Sequence, residues 1–240
     1  TVTEFITRTT VGDRRPGIPT FISTGTGGVC SPSSSRSVGT CRSWLSHALS
    51  RMDLKMKTVA IIPAHMSSTR FPGKVLANIE GLPMIARVVD RVRQAKLVDY
   101  ICVACDPGPA EALLHKWVEH AKGQIFIGGH EPKDLLSLFY STAELYKNLY
   151  GVDTIVRITS DCPLVDPALI DACIAVQQAT NAPYVTTLYG YPEGTDTEVF
   201  TMAALHTIYT TTNDDKGREH VTWGMRDRTR FACCYLSGDG

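Results

Sequence analysis

From Thr58 onward, short apolar runs rich in β-branched and aromatic residues alternate with longer segments in which apolar residues recur at helical spacing. The runs "TVAIIP" (58–63), "YICVACD" (100–106), "QIFIGG" (124–129), "TIVRIT" (154–159) and "YVTTLY" (184–189) predict strands. Between them, "MIARVVDRVRQA" from Met84, "PAEALLHKWVEHAK" from Pro109, "LLSLFYSTAELYKNLY" from Leu135 and "PALIDACIAVQQAT" from Pro167 predict helices. Pro83, Pro109 and Pro167 each sit where a first helical turn tolerates proline. This alternation predicts an α/β fold, a mainly parallel sheet flanked by helices and joined by right-handed crossovers. Ligands of such sheets gather at the carboxyl ends of the strands, which marks out two loops: 64–75 and "SDCPLVD", after the 154–159 strand.

Residues 1–55 break the pattern. Thr, Ser, Gly, Pro and Arg dominate without sustained periodicity, a composition that predicts a disordered tail outside the fold and leaves 56–240 as the domain. Its origin has two readings: an Arg- and Ser-rich, acid-poor transit segment, or sequence upstream of a start at Met52 or Met56. Met56-Lys57 leads straight into the first predicted strand, which favours the second. A chain of 240 residues, 43% hydrophobic, is long enough for one sizeable core.

Formal net charge is zero, so nothing global draws the chain to nucleic acid or a membrane surface. The charge is unevenly spread, with seven Lys/Arg against three Asp/Glu in 1–55 and seventeen against twenty-one in 56–240. An anionic ligand of the main body must therefore be met by local cations. The eight cysteines follow no framework spacing and point to reduced thiols and a cytoplasmic location. Cys102 and Cys105 form a CxxC within a predicted strand, where that spacing puts them on opposite faces, unsuited to a shared metal; adjacent Cys233 and Cys234 fare no better. No apolar run approaches the roughly 18 residues a membrane span requires. A homodimer is admitted but not required.

The first loop, "AHMSSTRFPGKV", is basic and contains no acid. Ser67, Ser68 and Gly73 can offer backbone amides to phosphate oxygens, Arg70 supplies a planar fork and Lys74 a point charge. The competing reading is a solvated strand-to-helix loop. In the second loop, Asp161 stands at a strand's carboxyl end, a natural ligand for Mg²⁺, which takes one or two protein carboxylates plus substrate phosphates; the competing reading is a turn or cap aspartate. Asp166, before Pro167, reads as the cap of the next helix, and Cys162 as packing. In "YPEGTDTEVF", Asp196 and Glu198 alternate onto one side of an extended segment, suited to sugar hydroxyls or else an acidic surface hairpin. In "GREHVT", Arg218, Glu219 and His220 cannot all face one site from a helix, so at least one belongs to a structural ion pair.

Together "VAIIPAHMSSTRFPGKVLANIEGLPMIARVVDRV", "VRITSDCPLVDPALID", "YPEGTDTEVF" and "REHVT" resemble the cytidylyltransferase family of spore coat polysaccharide biosynthesis protein F, related to the acylneuraminate and 3-deoxy-manno-octulosonate cytidylyltransferases. The resemblance runs from about Met56 to about Thr222. It implies a Rossmann-like fold of the nucleotide-diphospho-sugar transferase type, CTP and a sugar or sugar acid as substrates, Mg²⁺ as cofactor, pyrophosphate as product, and a part in cell-surface polysaccharide synthesis. It implies Arg70 and Lys74 on the triphosphate, Asp161 as metal ligand, the backbone near Pro63 and Ala64 at the cytosine, and Asp196 and Glu198 on the sugar side, joined by Glu219 and His220 of "REHVT". His65 replaces the family's usual arginine, Ser67 and Ser160 replace glycines, and Leu138 falls where an arginine is common. Relatives continue past "REHVT" into a "VDTPED"-like segment, whereas this chain ends at "YLSGDG", which reads as a C-terminal truncation. A catalytically impaired nucleotide- or sugar-binding homologue, or a transferase using another nucleotide, remains an alternative.

Overall fold

The computed structural model describes residues 20–24, 56–65, 71–105, 111–128, 133–188 and 191–237. The strands are β1 (Thr20–Thr24), β2 (Lys57–Pro63), β3 (Asn78–Ile79), β4 (Leu82–Pro83), β5 (Tyr100–Cys105), β6 (Gln124–Ile127), β7 (Val152–Arg157), β8 (Tyr184–Thr186), β9 (Glu198–Thr201) and β10 (Cys233–Ser237). The α-helices are α1 (Met84–Val92), α2 (Glu111–His120), α3 (Leu135–Tyr150), α4 (Pro167–Thr180), α5 (Met202–Thr211) and α6 (Asp215–Glu219). Short 3₁₀ turns span Lys74–Leu76 and Trp223–Arg226.

Eight strands form one sheet in the order β1-β10-β8-β9-β7-β2-β5-β6, and β3 pairs with β4 as a separate ribbon. The interior of the sheet is parallel except for β9, which runs antiparallel to both β7 and β8. Because β9 is reversed, its amino end lies at the carboxyl ends of its neighbours, and Arg157, Glu198 and Thr186 fall in register across the three strands. Of 1–55, only Thr20–Thr24 is described, and it pairs antiparallel with β10 at the edge of the sheet.

Side chains alternate across the sheet into two buried layers. Ala60, Ile62, Val103, Val156 and Val199 face one layer, closed by α1, α2 and α4 through Val88, Val118 and Ile174 among others. Val59, Ile61, Ala104, Ile155 and Phe200 face the other, closed by α3 and α5 through Phe139 and Leu205. Cys102 and Cys105 lie in opposite layers, as do Cys233 and Cys234, and all four are buried. Burial, offset in part by a hydrogen bond with Tyr146, pushes the Cys102 thiol up to about 12. Among the described residues no helix is long and apolar enough to cross a membrane.

The alternation of runs and amphipathic segments located five strands and four helices. The strand expected over 154–159 begins two residues earlier and ends at Arg157, because Ile158–Asp166 is taken up by the turn that carries Asp161. Asp166 caps α4, its carboxylate accepting from the Ala168 amide at 2.9 Å.

Helix α6 is only five residues long, so its ends decide whether it forms. Asp214 caps it by accepting from the Gly217 amide at 2.8 Å. Gly217 is buried against the preceding turn, and a Cβ there would lie 2.4 Å from Thr212 Cγ2 and 3.1 Å from Asp214 Oδ2. Gly217→Ala therefore forces the cap apart and is expected to destabilise the protein by about 1–3 kcal/mol in urea unfolding; an unchanged midpoint would contradict this packing.

Candidate active site

The first wall of the site follows from a turn. Pro72 and Gly73 occupy the middle of a β-turn closed by the Lys74 amide on the Phe71 carbonyl at 3.2 Å, and Gly73 has φ 71°, a conformation glycine adopts without strain. Buried Val75 anchors the next 3₁₀ turn, so the backbone under Lys74 is fixed while its side chain stays partly open. Lys74 Nζ reaches across 87 positions of sequence to donate to Asp161 Oδ2 at 2.5 Å.

Asp161 sits in the turn after β7. Its own carboxyl is pushed up by burial, but the Lys74 hydrogen bond and charge, the Thr159 hydroxyl and its own backbone amide outweigh this and hold it below the usual carboxylate range. The turn is held by the Cys162 amide on the Thr159 carbonyl at 3.2 Å, with Thr159 Oγ1 2.8 Å from Cys162 Sγ. Cys162 is buried, and burial raises its thiol, consistent with packing rather than nucleophilic chemistry.

The second wall is built on Glu198. This side chain is 1% exposed, yet the charge of Arg157, the Tyr184 hydroxyl, Arg226 and the Thr222 hydroxyl overcome the penalty of burial and keep its carboxyl below the ordinary range. Arg157 Nη1 donates to Oε2; Oε1 accepts from Tyr184 at 2.5 Å, Thr222 at 2.7 Å and Arg226 Nη2 at 3.2 Å. Asp196 is half-buried nearby. Burial and the charges of Glu198 and Glu193 raise its carboxyl, against the opposing pull of Arg157 and Arg226.

Beyond this network α6 forms the rim. Arg218 donates to Asp134 Oδ2 and Ser137 Oγ, both at 2.7 Å, tying α6 to the start of α3, where Asp134 is the N-cap. Glu219 and His220 are exposed, and Lys216 Nζ lies 3.8 Å from the centroid of the Trp223 ring.

Residues 59–235 match the family model described as cytidylyltransferase. The chain belongs to the cytidylyltransferase family. It is 35% identical over 120 residues to a 3-deoxy-manno-octulosonate cytidylyltransferase of Geobacter sulfurreducens, a stretch covering 50% of this chain and 45% of that protein. It is 31% identical over 167 residues to an uncharacterized protein of Methanocaldococcus jannaschii, covering 70% and 66% of the two chains. The chain thus spans about half the length of the first of these relatives. Its fold is similar to that of a cytidylyltransferase from Leptospira borgpetersenii (TM-score 0.67, 23% identity, 75% of each chain). It also resembles a CMP:2-keto-3-deoxy-manno-octonic acid synthetase solved in complex with CTP (TM-score 0.58, 17% identity, 75% of this chain and 89% of that one).

The structure brings Lys74 and Asp161 into contact and sets Asp196 and Glu198 at the same sheet edge. Pro63 ends β2, Ala64 is buried and His65 is exposed. The Ala64 amide already donates to the Ala104 carbonyl at 2.8 Å, so backbone recognition at this end must use other groups. Ser67, Ser68 and Arg70 lie outside the described residues. Glu198 departs from the expected sugar contact: a side chain 1% exposed with both oxygens engaged positions its neighbours instead. Leu138 is 3% exposed within the core, so the common arginine's place is given to packing. Of the "REHVT" trio, Arg218 is the structural ion-pair partner. Arg157 and Arg226 are not singled out by the sequence reading; the available signal for Arg157 is a charged residue inside the otherwise uncharged run "TIVRIT".

Two measurements follow from these electrostatics. Glu198→Ala strands two partly buried guanidinium groups and is expected to cost about 3–5 kcal/mol in urea unfolding, whereas a change below 1 kcal/mol, within the range of ordinary surface substitutions at about ±0.5 kcal/mol, would contradict the network. Asp161 titrates below its unfolded value, so its contribution to stability is complete above that value and is lost as pH falls through the lowered folded pKa. Lys74→Met removes the main lowering influence while burial remains. The Asp161 side-chain carboxyl carbon, followed by NMR, is expected to titrate at higher pH in the variant than in the wild type; identical curves would show that the pair does not form in solution.

Proposed function

We propose that this chain transfers a cytidylyl group from CTP to a hydroxyl of a sugar or sugar acid, yielding a CMP-sugar and pyrophosphate for cell-surface polysaccharide synthesis in the cytoplasm. The observation that carries the reading is the Lys74–Asp161 contact at the carboxyl edge of the sheet, in a chain whose 59–235 match the cytidylyltransferase model. A cation and a carboxylate joined there suit a polyphosphate and a divalent metal. The name of the 3-deoxy-manno-octulosonate relative supports the nucleotide and the acceptor class.

The acceptor hydroxyl loses its proton to solvent as its oxygen attacks the α-phosphorus; a new P–O bond forms, and the bond to the pyrophosphate oxygen breaks, its electron pair leaving with pyrophosphate. Lys74, and Arg70 beside it in sequence, absorb the negative charge gathering on the leaving pyrophosphate, which would draw Lys74 from Asp161 onto phosphate. Ser67 and Ser68, just before Arg70 in sequence, would offer backbone amides to the phosphates, and Pro63, Ala64 and His65 would meet the base. Asp196, Glu219 and His220 lie on the acceptor side.

Asp161 is the carboxylate that would hold Mg²⁺. It fits on donor chemistry: its side chain is 44% exposed and only Oδ2 is committed to Lys74. Mg²⁺ favours one or two carboxylates completed by water and phosphate, so the lack of a cluster of three or more acidic, His or Cys side chains among the described residues does not conflict with it. When bound, the ion would neutralise phosphate charge near the reacting centre.

Lys74→Ala and Asp161→Ala are each expected to lower turnover by at least about a hundredfold, the scale of losing one transition-state stabiliser. Pyrophosphate release with CTP, Mg²⁺ and a panel of sugars and sugar acids measures this, with circular dichroism confirming the fold. Near-normal release by either variant would contradict the assignment.

A further inference from the structure

Lys74 and Asp161 satisfy each other before any ligand arrives. Lys74 Nζ donates to Asp161 Oδ2 at 2.5 Å, and among the described residues Lys74 makes no other hydrogen bond or ion pair. At that separation the two charges cancel, so the carboxylate offers little attraction to a metal ion approaching from solution. A divalent ion on Asp161 must either displace the ammonium or accept a like charge beside it. The lysine thus competes with the metal for the same acid.

The pair is built to open. By contrast, the Arg218–Asp134 pair is locked: Arg218 also donates to Ser137 Oγ at 2.7 Å and to the Thr212 carbonyl at 3.1 Å, while Asp134 caps α3. Lys74 and Asp161 carry no such second tie between their elements, and their side chains are 21% and 44% exposed. The backbone beneath each is fixed, by the 71–74 turn and buried Val75 on one side and by the Thr159–Cys162 turn on the other. Opening therefore needs only rotation of a flexible four-carbon stem whose charge is a point rather than a fork, a motion of picoseconds to nanoseconds for an exposed side chain.

We infer that Lys74 guards the metal carboxylate: it occupies Asp161 until a triphosphate draws it away, so that metal and nucleotide bind as a coupled pair. This rests on the cytidylyl-transfer reading and deepens it. A triphosphate carries several negative charges and outbids one carboxylate for the ammonium. Asp161, released, then joins phosphate oxygens in the all-oxygen shell that Mg²⁺ favours. Coupling of this kind is reciprocal, each ligand strengthening the other by the same factor. A lysine that only binds phosphate would leave the metal affinity of the free protein untouched.

The test uses the full chain as wild type, Lys74→Met, Lys74→Gln, Asp161→Asn and the double variant Lys74→Met/Asp161→Asn, with circular dichroism confirming each fold. Mn²⁺ is the metal probe, with no nucleotide present, and electron paramagnetic resonance of the free ion gives its Kd. Both Lys74 single variants are expected to bind Mn²⁺ at least about tenfold more tightly than the wild type, a factor equivalent to 1.4 kcal/mol, and the double variant to lose that gain. Equal or weaker binding in both single variants, a gain that persists in the double variant, or no binding by any of the proteins would overturn the guard. The reciprocal arm is calorimetric titration of metal-free CTP. Asp161→Asn is expected to tighten CTP binding by a larger factor in the wild-type background than in the Lys74→Met background, and equal factors would overturn the guard. Neither arm needs an acceptor or turnover, so pyrophosphate release by the wild type decides the transfer reading separately. Its absence with every acceptor would overturn that reading and leave the Mn²⁺ comparison standing.

Discussion

A carboxylate shut away from water survives as an anion only if the protein supplies the charge and hydrogen bonds that water would have supplied, and Glu198 imposes that demand on four side chains from three distant parts of the chain. Arg157 comes from the end of β7, Tyr184 from β8, Thr222 and Arg226 from the turns after α6. Meeting the demand fixes the reversed strand β9 between β7 and β8 and brings the last third of the chain to the sheet edge that β2 and β7 open toward.

The edge that carries Lys74 and Asp161 is built differently. It depends on exposed or half-exposed groups, with Lys74 and Asp161 meeting across the mouth of two neighbouring parallel strands. A solvent-accessible pair of this kind adds little stability, and its worth lies in placement: a cation that phosphate can claim and an acid that a metal can claim. The protein thus separates a rigid, buried electrostatic network from a labile, open one.

Much of the α/β pattern was legible because parallel strands buried on both faces read as continuous apolar runs, and the prolines at 83, 109 and 167 punctuate them. The opposite-face placement of Cys102 and Cys105 followed from strand geometry alone. Strand β9 was harder to recognise: four residues beginning with a glutamate, in a segment whose acids suggested chemistry before structure. The same ambiguity led to Glu198 as a sugar contact, since sequence shows that two acids alternate but not that one of them is enclosed by partners 14 to 41 positions away. Arg226 gave no local signal, because its meaning comes from Glu198, 28 positions distant. Lys74 and Asp161 were recoverable because the strand-end rule places their loops on the same edge without knowledge of any contact.

In the proposed reaction the nucleoside triphosphate enters at one sheet edge, between the ends of β2 and β7. Hydrogen–deuterium exchange of the full chain with and without CTP and Mg²⁺ tests it most directly. Slowed exchange is expected only in peptides spanning 63–76 and 158–164, with the backs of α2 and α4 unchanged. Protection concentrated on those helices, or no protection at saturating CTP, would contradict it.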